Sequence, residues 1–222
     1  WIQPDPGDGG TSLGAAQYVY NTILGNTRNY VLENAYLGPA FSQMEIKKNL
    51  DEHFIQYTKF KNSQQLIKKI AQLIYENKVI GWFQGKMEWG PRALGARSIL
   101  ANPCNPHAKE LLNVKVKHRE RFRPFAPVVC KEDATKYFEC DSPLPSPTDF
   151  MLMVYSIKKE WKKKIPSVVH VDGSGRLQTI TKKQNSLYYS LIKEFGKLSK
   201  IPIIINTSFN IRGEPIVCTP LD

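Results

Sequence analysis

Apolar residues recur three and four positions apart in two separate stretches of the chain, which is the spacing of a helix with one buried face. One stretch covers 63–77 and starts at Ser63, a residue type that commonly caps helices, and the other covers 186–198. A shorter helix is predicted over 107–114. Small residues over 7–25 predict a glycine-rich turn followed by a helix that ends at a glycine.

Short apolar runs between turn-forming residues predict the strands. The clearest is the unbroken apolar run over 201–205, whose β-branched residues are typical of a strand buried on both faces. Further strands are predicted over 79–83, 125–130, 150–157, 168–171, 176–180 and 215–218. Because helices and strands alternate along the chain, we predict an α/β domain with a mixed, twisted sheet and flanking helices.

The stretch between the first two predicted helices is polar, about forty residues long, and rich in Asn, Tyr and charge. Such composition is common at domain boundaries. We therefore expect the chain to divide into a short N-terminal piece, residues 1–35, and a larger domain, residues 36–222.

Composition narrows the classes of protein to which the chain can belong. Its 222 residues suffice for one large domain, and four scattered cysteines without a Cys-x-x-Cys pair disfavour a zinc finger or a disulfide scaffold. No apolar run approaches the roughly 18 residues of a membrane span, and the N-terminus does not resemble a signal peptide. Since the chain starts at Trp1 rather than Met, we expect a piece of a longer protein. The scattered cysteines and the missing apolar span lead us to expect a cytoplasmic protein that does not associate with membranes.

Positive charge is concentrated in the middle of the chain. The formal net charge is +11, and residues 86–131 hold ten Lys and Arg against three Glu. Five cations occupy every second position: Lys115, Lys117, Arg119, Arg121 and Arg123. In an extended backbone they would share one face and attract a polyanion, but exposed edge strands also carry such residues, so the row alone leaves both interpretations open. A second cluster of lysines, over 158–164, is typical of a solvated turn.

A glycine-rich loop over 84–98 presents Glu88, Arg92 and Arg97 between regularly spaced glycines. Glycine allows backbone amides to approach a ligand closely, so a phosphate group suits this loop. The loop matches neither a P-loop nor a dinucleotide-binding fingerprint. An ordinary surface turn remains the alternative.

Two more loops carry polar groups suited to an anion. A tight turn over 170–176, predicted between two strands, ends in Arg176. Short polar residues follow the predicted buried strand, namely Asn206, Ser208 and Asn210, at a position where α/β folds commonly bind ligands. Turn formation and capping would also explain both segments.

Taken together, these loops predict an anionic small ligand, such as a nucleoside triphosphate, that several cations hold from different sides. No Ser-His-Asp or Cys-His set is present in the sequence. A structural role is predicted for both His118 and His170.

Five motifs, in this order, resemble the C-terminal domain of the O-carbamoyltransferases of the nodulation-protein-U, cephamycin and tobramycin type. They are Gly90-Pro91-Arg92-Ala93-Leu94-Gly95, Arg97-Ser98-Ile99-Leu100-Ala101, Arg123-Pro124-Phe125-Ala126-Pro127, His170-Val171-Asp172-Gly173-Ser174-Gly175-Arg176 and Asn206-Thr207-Ser208-Phe209-Asn210. The resemblance covers about residues 36–222. Within residues 1–35, Gly7-Asp8-Gly9-Gly10 resembles the end of the family's N-terminal transferase domain, which has an actin and sugar-kinase-like fold.

The resemblance implies a YrdC-like domain that binds ATP with Mg²⁺ and carbamoyl phosphate, and that forms carbamoyl adenylate with release of pyrophosphate. The N-terminal domain, with iron or another divalent metal, would then pass the carbamoyl group to a hydroxyl of an acceptor such as a sugar or a secondary metabolite. The implied binding residues are Arg92, Lys117, Arg119, Arg123, Arg176, Asn206, Ser208 and Asn210. Lys117, Arg123 and Arg176 are implied as catalytic, and Asp8 as a metal ligand.

Two positions depart from the family pattern, since Lys86 stands where Arg is usual and Ala96 where Asn is usual. Lysine keeps the charge but loses the bidentate fork of arginine, which puts a phosphate-binding role for position 86 in doubt. Two alternative functions remain: a nucleic-acid-binding module, which the small-ligand motifs disfavour, and a threonylcarbamoyl-adenylate synthase for tRNA modification. The second fits the Lys-x-Arg and Ser-x-Asn pairs but not the Gly-Asp-Gly-Gly segment or the turn over 170–176.

Overall fold

The computed structural model describes residues 2–222 of the chain. The α-helices are α1 (Asp8–Gln17), α2 (Gln43–Glu52), α3 (Ser63–Tyr75), α4 (Ala108–Leu111), α5 (Ala134–Tyr137), α6 (Lys159–Lys162) and α7 (Ser186–Ser199). The strands are β1 (Ile80–Phe83), β2 (Arg97–Ala101), β3 (Ala126–Cys130), β4 (Met153–Ser156), β5 (Ser174–Ile180) and β6 (Ile203–Ser208). Two π-helical segments, Tyr18–Ile23 and Leu112–Val116, continue α1 and α4.

The six strands form one mixed sheet in the order β1-β2-β6-β3-β5-β4. β3 and β5 run parallel, and the other neighbouring pairs run antiparallel. The predicted mixed α/β class is therefore confirmed. None of the helices in residues 2–222 is long and apolar enough to cross a membrane.

Both faces of the sheet are covered by apolar side chains. α3 and α7 pack on one face, where Ile74 and Phe195 join sheet residues such as Ile204 in one buried cluster. The opposite face buries Ile203 and Ile205 together with residues of the α4–α5 region. Alternation along β6 thus sends successive isoleucines to opposite faces, as expected for a strand in the middle of a two-sided sheet.

Several element predictions are confirmed within a few residues, notably α3, α7, β3 and β6. The predicted strand over 168–171 is wrong. Pro166–Val168 is a 3₁₀ turn, and His170 and Gly173 then close a tight turn in which the His170 N–H donates to the Ser174 carbonyl. The segment directly before this turn is not a strand, so the turn leads into β5 without forming the predicted hairpin.

The predicted strand over 215–218 is also wrong, because this segment is irregular. Its Val217 N–H donates to the Phe209 carbonyl, which folds it back on the end of β6 without a ladder. In addition, the helices α2, α5 and α6 and the strand β2 were not predicted. α2 has a full capping box between Ser42 and Glu45, and β2 starts inside the segment that was predicted as the glycine-rich loop.

The alternating basic row is not extended, so the shared face that an extended backbone would give does not form. Leu112–Val116 is helical, His118 has a φ of 47°, and residues 119–125 form a loop without strand structure. The cations therefore point in different directions, and each one has its own environment.

The polar connector is not a free linker along its whole length. Around residues 35–39 it packs against the glycine-rich loop: the Trp89 N–H donates to the Ala35 carbonyl at 2.7 Å and the Met87 N–H to the Pro39 carbonyl at 2.9 Å. Nothing in this arrangement tests the proposed division at residue 35, which remains a prediction.

Candidate ligand site

Two adjoining cavities lie where the end of β6 meets the loop that precedes β3. The larger, of about 350 Å³, is lined by Lys117, Arg119, Glu120, Arg123, Ser208, Asn210, Ile211, Arg212 and Gly213. The smaller, of about 100 Å³, is lined by Pro91, Arg92, Ala93, Arg119, Pro124, Phe125, Ala126, Met151, Arg176, Asn206, Thr207 and Ser208. Arg119 and Ser208 belong to both linings, so the cavities form one continuous site.

A larger cavity, of about 830 Å³, lies elsewhere, between the N-terminal helical segment and residues 27–32. Its lining is mostly apolar and contains a single charged residue, Arg28. Because only one charged group lines it, we place the candidate site for an anionic ligand at the two cationic cavities instead.

Lys117 is the most constrained cation of the site, with a side chain that is 4% exposed. Its Nζ donates to the carbonyl and hydroxyl oxygens of Ser208 at 2.5 and 3.1 Å, and to the carbonyl and Oδ1 of Asn210 at 3.0 and 2.7 Å. The ammonium thus fastens the predicted Lys-x-Arg segment to the predicted Ser-x-Asn segment. Burial, and then the charge of Arg119, lowers the pKa of Lys117 to about 8.

Asn113, which is not among the predicted site residues, shapes the loop that carries these cations. Its Nδ2 donates to the carbonyls of Arg121 and Arg123 at 3.2 and 2.9 Å, and its Oδ1 accepts from Nε of Arg119 at 2.7 Å. The side chain is fully buried. No local motif distinguishes this asparagine, because its partners lie in a loop whose path is set by tertiary packing.

Arg119 and Arg176 bring two guanidinium groups to the smaller cavity. Arg119 lies over the Phe125 ring at 5.0 Å, which contributes a cation–π contact. Burial, and then the charges of Arg92 and Arg119, lowers the pKa of Arg176 to about 10, and its buried Nε has no hydrogen-bond partner in residues 2–222. Like charges this close favour an anion between them.

The glycine-rich loop presents Arg92 to the smaller cavity, and Glu88 holds the loop in shape. One oxygen of this buried carboxylate accepts from the N–H groups of Leu94 and Ala96 at 2.6 and 2.7 Å. Gly95 has a φ of +111°, and a Cβ there would lie 2.2 Å from the Tyr188 ring. A residue larger than glycine would therefore push the loop away from α7.

Arg97, by contrast, belongs to the core. It is 0% exposed, stacks on the Phe83 ring at 3.6 Å, and donates to backbone carbonyls that include those of Gln84 and Pro39. It lines neither cavity and ties β2 to the connector.

Asn206 and Gln178 form a buried amide pair beside the smaller cavity. Nδ2 of Asn206 donates to the Gln178 Oε1 at 2.5 Å and to the Ala93 carbonyl at 2.9 Å. Gln178 was not predicted as a site residue, because no motif includes it and only the parallel pairing of β3 and β5 brings it near β6.

The remaining predicted groups are placed as follows. Arg123 is exposed, pairs with Glu120 at 3.4 Å and lines the larger cavity. Arg121 and Lys115 are exposed and line neither cavity, and Arg121 pairs with Glu110 at 2.9 Å. Thus three of the five cations of the row join the site, together with Arg212, which the sequence analysis did not select.

The two histidines of interest lie outside the two linings. The His118 carbonyl accepts from the Arg212 guanidinium at 3.3 Å, and the His170 ring contacts the Ser174 hydroxyl at 3.1 Å within the tight turn. These contacts are those of loop-shaping residues.

Asp8, the predicted metal ligand, is exposed in the first turn of α1. Within residues 2–222, the group of three residues that could supply metal ligands is Cys130, Glu132 and Asp133, which does not include Asp8. At that group, the Lys193 ammonium already lies 2.9 and 2.7 Å from the two carboxylates, and burial raises the pKa of Cys130 to about 12. The lysine and the protonated thiol do not suit a metal ion.

Comparison with known proteins identifies the family. A model of the carbamoyltransferase C-terminus matches residues 71–222, which is more than half of the chain. The chain belongs to the carbamoyltransferase C-terminal family. The predicted resemblance to carbamoyltransferases is therefore confirmed.

Relatives of this family resemble the chain over nearly its whole length. An uncharacterized protein of Synechocystis is 39% identical over 100% of this chain and 40% of the relative, and the nodulation protein NolO of Bradyrhizobium diazoefficiens is 37% identical over 98% and 39%. A crystal structure of full-length HypF in the phosphate- and nucleotide-bound form aligns with a TM-score of 0.46 at 20% identity, covering 68% of this chain and 21% of that one. The chain spans about two fifths of the length of these two sequence relatives.

Proposed function

We propose that this domain binds ATP and carbamoyl phosphate and forms carbamoyl adenylate with release of pyrophosphate. The carbamoyl group would then pass to a hydroxyl of an acceptor, such as a sugar or a secondary metabolite, in the N-terminal domain of the whole protein. Membership of the carbamoyltransferase C-terminal family supports the carbamoyl chemistry. Because the chain spans only about two fifths of its relatives, the transfer step is assigned to the longer protein.

The observation that carries the proposal is the convergence of arginines and a lysine on two adjoining cavities. The larger has about 350 Å³, at the lower end of the roughly 300–1,000 Å³ typical of small-molecule sites. Lys117, Arg119, Arg123 and Arg212 line it, and Arg92 and Arg176 line the smaller. We assign the nucleotide phosphates to the larger cavity and the carbamoyl donor to the smaller.

Charge-assisted hydrogen bonds supply the affinity. Each bond from Arg or Lys to a phosphate oxygen contributes on the order of 1.5–3 kcal/mol, so a few of them suffice to hold a triphosphate. Arg119 lies at the junction of the cavities and would contact both ligands. That position suits a reaction in which two anions must approach each other against their mutual repulsion.

The chemistry requires no covalent nucleophile from the protein. A carbamate oxygen forms a bond to the α-phosphorus of ATP, and the bond from that phosphorus to the β-phosphate oxygen breaks. For the atoms to balance, carbamoyl phosphate and one water molecule must also yield phosphate. The roles of Lys117, Arg123 and Arg176 would be to position both anions and to stabilise the charge that develops on the leaving pyrophosphate.

Mg²⁺ fits the site as part of the ATP complex. It is usually held by one or two carboxylates, waters and substrate phosphates, and Glu120 supplies a carboxylate to the lining of the larger cavity. Bound Mg²⁺ would neutralise phosphate charge. The iron or other divalent metal of the transferase site would need ligands in addition to Asp8, so its assignment to the N-terminal domain remains a proposal, as does cytoplasmic localisation.

The folded shape of the basic row favours this function over the nucleic-acid alternative. An extended row of five cations would have matched a long polyanion, whereas three of the five cations line a compact cavity. The family match favours carbamoyl transfer over threonylcarbamoyl adenylate synthesis for the same residues.

Calorimetric titration with ATP and Mg²⁺, with and without carbamoyl phosphate, tests the proposal. Arg123→Ala should weaken ATP binding at least tenfold and Arg92→Ala should weaken carbamoyl phosphate binding at least tenfold, since each removes a guanidinium from the cavity assigned to that ligand. Arg121→Ala is the matched control, because this exposed arginine lies in the same loop but lines neither cavity. No ATP binding by the folded wild-type chain, or an equal loss in all three variants, would refute the assignment of the site.

A further inference from the structure

We propose that the Asn206 amide, oriented by Gln178, selects the carbamoyl donor by accepting a hydrogen bond from its NH₂ group. Acyl phosphates without an N–H at that position would be rejected. This inference rests on the proposed function, since it assigns the carbamoyl group to the smaller cavity. It adds a specificity-determining residue, Asn206, and a positioning residue, Gln178.

The orientation of the two amides follows from their partners. The Leu94 carbonyl can only accept, so the Gln178 group that faces it at 2.8 Å must be the Nε2 donor. Oε1 of Gln178 is then left to accept, and it does so from Nδ2 of Asn206. The Ala93 carbonyl, also an acceptor, fixes the same end of the Asn206 amide. Asn206 therefore has one possible orientation, with its oxygen pointing away from these partners.

The Asn206 oxygen is the polar atom of this amide pair whose hydrogen bonding is incomplete. Asn206 is 1% exposed and Gln178 is fully buried, yet Oδ1 of Asn206 has no hydrogen-bond partner in the described chain. A buried acceptor without a donor is uncommon in folded proteins. Asn206 contributes to the lining of the smaller cavity, so a ligand that enters deeply enough to contact the shielded Oδ1 would supply the missing donor.

A second orphan in the same lining complements the first. The buried Nε of Arg176 is a donor without an acceptor, as Oδ1 of Asn206 is an acceptor without a donor. A primary amide carries one carbonyl oxygen and two N–H groups, which are the hydrogen-bonding types that these two atoms lack. The cavity of about 100 Å³ corresponds to about three water molecules at roughly 30 Å³ each, which suits a small group rather than a nucleobase.

Selectivity arises because the Asn206 oxygen is a hydrogen-bond acceptor in a lining whose charged groups are all donors. These charged groups are Arg92, Arg119 and Arg176, all of which favour a phosphate or carboxylate oxygen. An oxygen placed against Oδ1 of Asn206 would bring two acceptors together, and a methyl group there would leave Oδ1 unpaired. Of the groups that carbamoyl phosphate and acetyl phosphate offer at this position, only the N–H of carbamoyl phosphate can donate to Oδ1, so the site would distinguish these two ligands of nearly equal size.

The first test compares ligands on the wild-type 222-residue chain, and therefore does not depend on the folding of a variant. Calorimetric titrations are run with freshly dissolved carbamoyl phosphate, with acetyl phosphate and, separately, with ATP and Mg²⁺. We expect carbamoyl phosphate to bind at least tenfold more tightly than acetyl phosphate. If ATP binds but the two acyl phosphates bind equally, this inference is wrong and the proposed function stands. If neither ATP nor carbamoyl phosphate binds, both fail.

The second test removes the acceptor. Asn206→Leu and Gln178→Met, which keep approximate size, should reduce the ratio of the two affinities to less than threefold. Thr207→Val is the matched control, because Thr207 lines the same cavity, and it should keep the wild-type ratio. A wild-type ratio retained in Asn206→Leu would overturn the inference. Should circular dichroism show either variant unfolded, the wild-type comparison decides alone.

Discussion

Raising the pH from 7 to 9 is expected to weaken ATP binding by about tenfold, because Lys117 loses its proton over this interval. The lysine is nearly fully buried in the wall of the larger cavity, and its pKa is lowered to about 8 by burial and then by the charge of Arg119. Bound phosphate favours the ammonium form. Binding should therefore take up a proton at neutral to mildly alkaline pH, and should weaken as that proton becomes harder to supply.

The magnitude follows from the pKa of the free protein. With a pKa of about 8, about nine tenths of Lys117 is charged at pH 7 and about one tenth at pH 9, a ratio that corresponds to about 1.4 kcal/mol. The pKa of Arg176 is about 10, so this arginine stays mostly charged over the same interval. The stability of the free protein should change in the opposite direction. Between pH 8 and 10.5, which are the approximate pKa values of Lys117 in the folded and the unfolded chain, the unfolded chain binds more protons than the folded one. The free energy of unfolding therefore rises with pH in this interval.

The assay is calorimetric titration with ATP and Mg²⁺ at pH 7, 8 and 9, in buffers of differing ionisation enthalpy so that proton uptake is measured directly. Lys117→Met should bind more weakly at pH 7 and show a flat profile. Lys115→Met is the control, since this exposed lysine of the same row lines neither cavity and should leave the wild-type profile unchanged. A flat wild-type profile would refute the reasoning, as would the same decline in Lys117→Met.

Two further predictions concern the glycine-rich loop and are measured by urea unfolding. Glu88→Ala should lower the free energy of unfolding by about 3 kcal/mol, because two loop amides lose the oxygen that accepts their hydrogen bonds. Glu88→Gln, which keeps an oxygen acceptor, should recover much of this loss. Equal losses in the two Glu88 variants would show that Glu88 does not hold the loop through these bonds. Gly95→Ala should lower the free energy of unfolding by about 2–4 kcal/mol, since the new Cβ would meet the Tyr188 ring and the φ of Gly95 is +111°. Gly85 has a φ of +57°, but a Cβ there would have no neighbour within 4 Å, so Gly85→Ala should lower it by only about 1–2 kcal/mol. Similar losses in the two glycine variants would show that the Tyr188 contact is unimportant.

Predictions from the sequence were most accurate where one element carries its own pattern. α3 and α7 have a single apolar stripe, and β6 contains an uninterrupted apolar run, so local periodicity suffices to find them. β2 was missed because it begins with Arg97, which is buried only through stacking on Phe83 and bonds to distant carbonyls. The shape of the basic row does not follow from its sequence, because its alternation of charges resembles a strand while Asn113 and the preceding helical turn impose a loop.

For the candidate site, the sequence by itself determined which functional groups are available. These are arginines, a lysine and short amides in loops that also identify the family. Only the tertiary structure decided which of these groups meet. Lys117 reaches Ser208 and Asn210 because β3 and β6 are neighbours, and Gln178 reaches Asn206 because β5 lies beside β3. The physical reason is that charge and residue type are local properties, whereas burial, hydrogen-bond partners and lowered pKa values depend on segments about 90 and 30 residues apart being packed together.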